Sequence, residues 1–175
     1  MKKSFWSSVA EFLVLLLVAY VLALGIRMFV AERRDVPTGS MEPTIHAGDS
    51  LFTVKALYYF KNPERGDIVV FNVPKSVDPK ATFPWVKRVI GLPGDTVEIR
   101  DGKVYVNGKV YNVPGASKPK YSYGPVRVED NMLFVLGDNR NHSFDGHYWG
   151  QLPRENVIAK AVFVFWPPKD AKLLK

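Results

Sequence analysis

Ser40 lies in the stretch Val36-Pro37-Thr38-Gly39-Ser40-Met41-Glu42-Pro43-Thr44. A serine hydroxyl becomes a nucleophile only when a base takes its proton. Pro37 and Pro43 stiffen the backbone on either side and Gly39 leaves it bare on one, which favours a presented side chain. The same residues also read as an ordinary turn punctuated by proline and glycine, so a partner must decide. One candidate base is a histidine. The chain has three, His46, His142 and His147, and Ser40 with His142 and Asp145 contains the residue types of a Ser-His-Asp triad.

The other candidate is a lysine, which acts as a base only if desolvation keeps its amine neutral, against a free pKa of ~10.4. Lys87 stands mid-strand in Phe83-Pro84-Trp85-Val86-Lys87-Arg88-Val89-Ile90. Alternation puts Trp85 and Val89 on its face, while Arg88 has Val86 and Ile90 on its own, so periodicity leaves open which charge points inward. Chemistry separates the two: a buried lysine is a usable base, whereas a buried arginine keeps its proton and requires an acidic partner. Two cations snorkelling from an edge strand is the plainer alternative.

Asp138, His142, Asp145 and His147 are close enough in sequence to suggest a metal site. Their spacing matches no ligand pattern, and the Asn/Gly-rich run reads better as a loop. With no cysteine, disulfides, thiolate chemistry and cysteine-ligated zinc are excluded.

The elements that must position these groups are strands. Candidates are 50–55, 67–73, whose continuous apolar character implies burial on both faces, and 83–90, closed by Gly91-Leu92-Pro93-Gly94-Asp95. Residues 96–111 form a meander through Asp101-Gly102 and Asn107-Gly108, both two-residue hairpin turns. Residues 112–128, rich in Pro, Gly, Ser and Lys, read as an exposed loop, and 132–136 and 157–166 as two further strands. Tyr58, Tyr59, Phe60, Trp85, Trp149 and Trp166 are expected mostly in the core, with a subset at lipid headgroup level.

Before the strands, Phe12 to Ile26 is free of charge, and the apolar character resumes after Arg27 up to Ala31, supplying the ~20 residues of a bilayer-spanning helix. That is longer than the ~7–15-residue apolar core of a cleavable signal peptide, so an uncleaved anchor over 1–35 is expected, its helix at about 9–31, with a β-rich domain over 36–175. Ser40 follows Ala31 by at most ~30 Å of extended chain, so its hydroxyl works near the bilayer. Lys2 and Lys3 flank one end of the span and Arg33 and Arg34 the other, so charge does not assign topology. With 175 residues, 47% hydrophobic, 23% charged and net +7, the chain is a folded domain plus an appendage. It has no basic run interleaved with aromatics and no nucleic-acid motif, so a nucleic-acid partner is not expected; a mild attraction to anionic lipid is.

Four ordered stretches, Thr38–Thr44, Arg65–Phe71, Lys87–Asp95 and Gly137–Asp145, resemble those of the type I signal peptidases, membrane serine proteases that remove signal peptides from exported preproteins. The resemblance implies a mainly β fold, an antiparallel β-sheet protease domain on one N-terminal transmembrane helix, on the outer face of the cytoplasmic membrane. It implies Ser40 as nucleophile, Lys87 as general base, Ser143 hydrogen-bonded to the lysine amine, and Thr38 with the Ser40 N–H as the oxyanion hole. Arg88 with Asp138 resembles a bracing pair, and Asp145 another supporting residue. Preproteins with small residues, typically alanine, three residues and one residue before the cut are the implied substrates, bound as an extended strand, and no cofactor is implied. Self-cleaving repressors of the SOS type share a Ser/Lys dyad, but a DNA-binding segment would stand where the apolar run is. A non-catalytic, membrane-tethered β-domain is the reading from another class.

Gly146-His147 departs from the family's usual serine and arginine. A histidine partner for Asp145 is charged only toward lower pH. His147→Arg is therefore expected to extend activity or stability to more alkaline pH; identical pH profiles of variant and parent would refute this.

Overall fold

The computed structural model describes residues 5–25 and 31–174. Helix α1 covers Phe5–Gly25, with side chains described for Val9 and from Glu11 onward. Phe12, Leu15, Leu17 and Leu22 on it are exposed. Among the described residues no helix is long and apolar enough to cross a membrane, so the anchor expected over 1–35 is not a feature of the structure as described. The part of that expectation on residues 26–30 lies outside the described residues.

Its last part is corrected. Ala31–Asp35 is strand β1, paired in register with β2 (Ser50–Val54) from Ala31↔Val54 to Asp35↔Ser50. The local charges explain why. Glu32 pairs with Arg34 and Arg33 with Asp35, partners two residues apart that share a face only in an extended chain. β1 ends the sheet, where charged side chains discourage further pairing.

The remaining strands are β3 (Ile68–Phe71), β4 (Trp85–Gly91), β5 (Thr96–Arg100), β6 (Lys103–Val106), β7 (Lys109–Val110), β8 (Tyr123–Arg127), β9 (Met132–Leu136), β10 (Leu152–Pro153), β11 (Val157–Trp166) and β12 (Lys172–Leu173). They form two antiparallel sheets. The larger runs β1-β2-β11-β3-β4-β9-β10 with β12 on β11, and the smaller runs β7-β6-β5-β8. The fold is thus mainly β, and β3 is buried along its whole length. Asp101-Gly102 and Asn107-Gly108 all have positive φ, as two-residue hairpin turns demand.

Residues 112–128 are not simply a loop. Tyr123–Arg127 pairs with β5 as the outer strand of the small sheet, the position that tolerates Pro125. The preceding segment is laced to residues 138–141: Ser117 N–H donates to the Asp138 carbonyl at 2.9 Å, Arg140 N–H to Ser117 Oγ at 2.8 Å, and Lys120 N–H to Asn141 Oδ1 at 2.8 Å. Two short helices, α2 (Leu57–Phe60) and α3 (Gly146–Trp149), also escaped the sequence pattern, being single turns without amphipathic periodicity. Of the aromatics, Tyr58, Trp85 and Trp149 pack with the core around Phe71 and Val135, whereas Tyr59, Phe60 and Trp166 are exposed.

Gly91, where β4 leaves the large sheet, faces the core of the small one. A Cβ there would lie 2.7 Å from Val97 Cγ2 and 2.8 Å from Val128 Cγ2. Gly91→Ala is expected to destabilise the domain by about 1–3 kcal/mol through overpacking, measured by urea unfolding; an unchanged midpoint would show that the two sheets yield at this junction.

Candidate active site

Lys87 occupies the middle of β4, opposite Val69 on β3. Both Lys87 and Arg88 are buried, each 4% exposed, so the sequence's question of which one points inward has the answer that both do, on opposite faces of an interior strand. Arg88 has its acid: Nε donates to Asp138 Oδ1 at 2.9 Å and NH2 to Oδ2 at 2.7 Å, while NH1 donates to the Gly66 carbonyl at 2.8 Å. Thr44 Oγ1 donates to the same carboxylate at 2.5 Å. A bidentate pair with further hydrogen bonds is the arrangement in which a buried ion pair is tolerated.

Among the described residues Lys87 has no such partner. Its Nζ lies 2.7 Å from Ser40 Oγ and 5.9 Å from the Trp85 ring centroid. Burial drives its pKa down to about 8, and the more distant carboxylates of Asp145 and Asp138 only partly oppose that. The amine is therefore neutral in a substantial fraction of molecules slightly above neutral pH, which is the condition set for a lysine base.

Ser40 is presented by a 3₁₀ turn, Gly39–Met41, anchored by fully buried Met41. Thr38 Oγ1 lies 3.4 Å from Ser40 Oγ, and the start of a helical turn leaves backbone N–H groups without intrahelical partners. The turn is clamped from the loop after β9: Asn139 N–H donates to the Ser40 carbonyl and Asn139 Nδ2 to the Gly39 carbonyl, both at 3.1 Å. Asn139 lies in a stretch from which the sequence reading took only Asp138, His142, Ser143 and Asp145. Nothing in its type announces a clamp on two carbonyls a hundred positions earlier.

Ser143 departs from expectation. Its Oγ is buried without a hydrogen-bond partner among the described residues, so the bond to the lysine amine is not formed. The side chain packs against Gly137 instead, where an added Cβ would collide with both Ser143 Oγ and the Ser40 carbonyl. Gly137 is thus a second residue without a role in the sequence reading, and its lack of a side chain lets the two serines approach.

Asp145 is fully buried. Oδ2 accepts from Gly137 N–H at 2.8 Å, and Oδ1 lies 2.7 Å from His147 Nδ1, with the imidazole stacked on Tyr121 at 3.9 Å. Both oxygens are committed away from His142, whose Nδ1 lies 3.3 Å from Asn139 Oδ1, so the Ser40-His142-Asp145 triad is not assembled. The metal alternative fails also: among the described residues only His46, Asp49 and Asp170 bring possible ligand atoms together.

Ser40 and Lys87 open into a cleft of about 510 Å³ between residues 34–41 and 78–87, with Val36, Met41, Val70, Val86 and Trp85 among its walls. The cleft, with apolar and polar walls, brings together a hydroxyl and a desolvated amine, the two groups that a serine nucleophile activated by a lysine would need.

The comparisons with known proteins agree on the class, a protease. The family model "Signal peptidase, peptidase S26" matches residues 9–166. A probable signal peptidase I-2 of Synechocystis sp. is 49% identical over 158 residues, covering 89% of this chain and 72% of that one. Signal peptidase I of Leptolyngbya laminosa is 47% identical over 84% of this chain and 74% of that one. A probable signal peptidase I-1 of Synechocystis sp. is 45% identical over 93% and 85%. The chain belongs to the signal peptidase I family.

A buried ammonium weakens the fold wherever it is charged. Below pH about 8 Lys87 is protonated both folded and unfolded, and the folded state bears the full cost; between about 8 and 10.5 the folded chain releases the proton first and the cost disappears. Lys87→Met is therefore expected to be more stable than the parent at pH 7 by about 3 kcal/mol, a difference that vanishes toward pH ~10.5. Thermal unfolding across that range measures it, and a constant difference would refute the linkage.

Proposed function

We propose that this protein cleaves signal peptides from exported preproteins by a Ser/Lys mechanism, with Ser40 as nucleophile and Lys87 as general base. The observation that carries the reading is the 2.7 Å approach of a buried, depressed-pKa amine to the Ser40 hydroxyl, both lining the cleft. The neutral Lys87 amine takes the Ser40 proton as Oγ bonds to the scissile carbonyl carbon, and the carbonyl π electrons move onto oxygen. Thr38 Oγ1 and the Ser40 N–H are the donors assigned to that oxyanion. Collapse expels the leaving amine, to which Lys87 returns the proton. Water, deprotonated by the same lysine, then releases the acyl group and regenerates Ser40.

The substrate lies extended along the cleft, so main-chain contacts give affinity for many sequences while the walls favour small side chains such as alanine three residues and one residue before the cut. Arg88, Asp138, Asp145 and Ser143 are supporting residues, acting through the walls of the site rather than on the substrate. Ser143 turns to the lysine amine only if its present packing against Gly137 loosens. The apolar run through α1 tethers the β-rich domain, which starts with β1, to the cytoplasmic membrane, with the site on its outer face. The exposed apolar side chains of α1 and the signal peptidase I relatives support that placement. Signal-peptide-bearing preproteins and the bilayer are then the partners, and the chemistry calls for no cofactor and no nucleic acid.

Detergent-solubilised protein should cut a preprotein carrying alanine at both positions, and Ser40→Ala and Lys87→Ala should each lose roughly 10³-fold or more of that activity. Survival of cleavage in Lys87→Ala would redirect attention to His142. The parent's kcat/KM should rise about tenfold per pH unit and level off above about pH 8, where the amine is neutral; a flat profile through that region would overturn the lysine base.

A further inference from the structure

Beside the cleft, and sharing Arg34 with it, lies a groove of about 530 Å³ on which Arg34 of β1, Lys55 just after β2 and Arg154 just before β11 converge and that Tyr58, Tyr59 and Asn72 help to line. None of its described lining residues is acidic. The cations are held in place rather than free to wander. Lys55 Nζ and Arg34 NH2 share Glu32 Oε2 at 2.6 and 3.1 Å, one carboxylate between two positive charges. Arg154 NH2 donates to the Tyr58 and Lys61 carbonyls at 3.0 and 3.3 Å, with its guanidinium 5.4 Å from the Tyr58 ring centroid. Surplus positive charge on fixed side chains is complementary to a phosphate.

Two further observations say what carries that phosphate. Tyr59 and Phe60, on α2 at the same place, are 66% and 87% exposed, large aromatics without a protein surface to cover them. α2 itself is secured through buried Tyr58, whose hydroxyl donates to Asp67 Oδ2 at 2.8 Å, so these rings are held outward. The groove also lies on β1, which begins only six positions after the end of α1, at most ~20 Å of chain. Aromatic rings beside fixed cations, close to an apolar helix, are the composition of a membrane-interface element.

We propose that this groove seats the phosphate of an anionic phospholipid headgroup, with Tyr59 and Phe60 entering the interface beside it; this rests on the reading above that the apolar run through α1 holds the domain at a bilayer. A zwitterionic headgroup fits less well, because its ammonium would enter among three cations whose one neighbouring carboxylate, Glu32, is already shared by Lys55 and Arg34. The bound lipid would hold the sheet edge at the membrane surface and so fix the height of the cleft above it.

The full chain in dodecylmaltoside micelles, offered dioleoylphosphatidylglycerol and dioleoylphosphatidylcholine in equal amounts, is examined by native mass spectrometry for the lipid it keeps. Phosphatidylglycerol should be preferred, and Lys55→Gln and Arg34→Gln should each weaken that preference by about fivefold, while Lys109→Gln on β7 leaves it unchanged. Equal retention of the two lipids, or an undiminished preference in both groove variants, would overturn the site. Displacement of phosphatidylglycerol by inorganic phosphate alone would overturn the lipid assignment in favour of a free-anion site. Flotation of the parent with phosphatidylcholine vesicles reads the tether separately: a chain that does not float loses the membrane reading and this role with it. One that floats without a phosphatidylglycerol preference loses the groove alone.

Discussion

An amine with nowhere to put its charge is the constraint on which this molecule depends. Lys87 is as buried as Arg88 beside it, yet only Arg88 is given a carboxylate at hydrogen-bonding distance. Desolvating a cation without pairing it works against folding, so the surrounding architecture must hold the amine in place against its tendency to reach water. Interior position does most of this. β4 lies between β3 and β9 in the sheet, and Lys87, paired with Val69 of β3, is only 4% exposed.

The same architecture keeps the nearby acids from undoing the desolvation. Asp138 is held by Arg88 and Thr44, and Asp145 by Gly137 N–H and His147. Each carboxylate is therefore satisfied locally and kept off the amine, and its remaining pull on Lys87 is smaller than the effect of burial. The loop after β9 thus acts on both partners at once: Asn139 fixes the carbonyls around Ser40, and Asp138 and Asp145 set the charge around Lys87. The segment around Ser117 and Tyr121 laces that loop from outside, which gives the small sheet and its connection a part in the site without touching either reactive atom.

Much of this was legible in the sequence where a local physical demand is strong. Asp-Gly and Asn-Gly turns declare themselves because few other residues adopt positive φ, and β3 declares itself by unbroken apolar character. Ser40 and Lys87 stood out by chemistry, one between stiff prolines, the other a cation in an apolar strand. What escaped was set by tertiary context. The charges at 32–35 read as the flank of a membrane span, and only the pairing with β2 shows them to be an edge strand. Gly124-Pro125 argued against the strand that an outer position permits. The clamp by Asn139, the bare Gly137 and the unpartnered Ser143 hydroxyl are relations between distant segments, for which no local pattern exists.

The order in which these parts occur along the chain has its own consequence. Ser40 and Lys87 come early in the chain, but the clamp on the first and the carboxylates around the second arrive only with residues 137–147. The setting of the Ser40–Lys87 pair is therefore complete only when the last third of the chain has joined the sheets, so a truncation before residue 137 would keep both side chains and lose their arrangement.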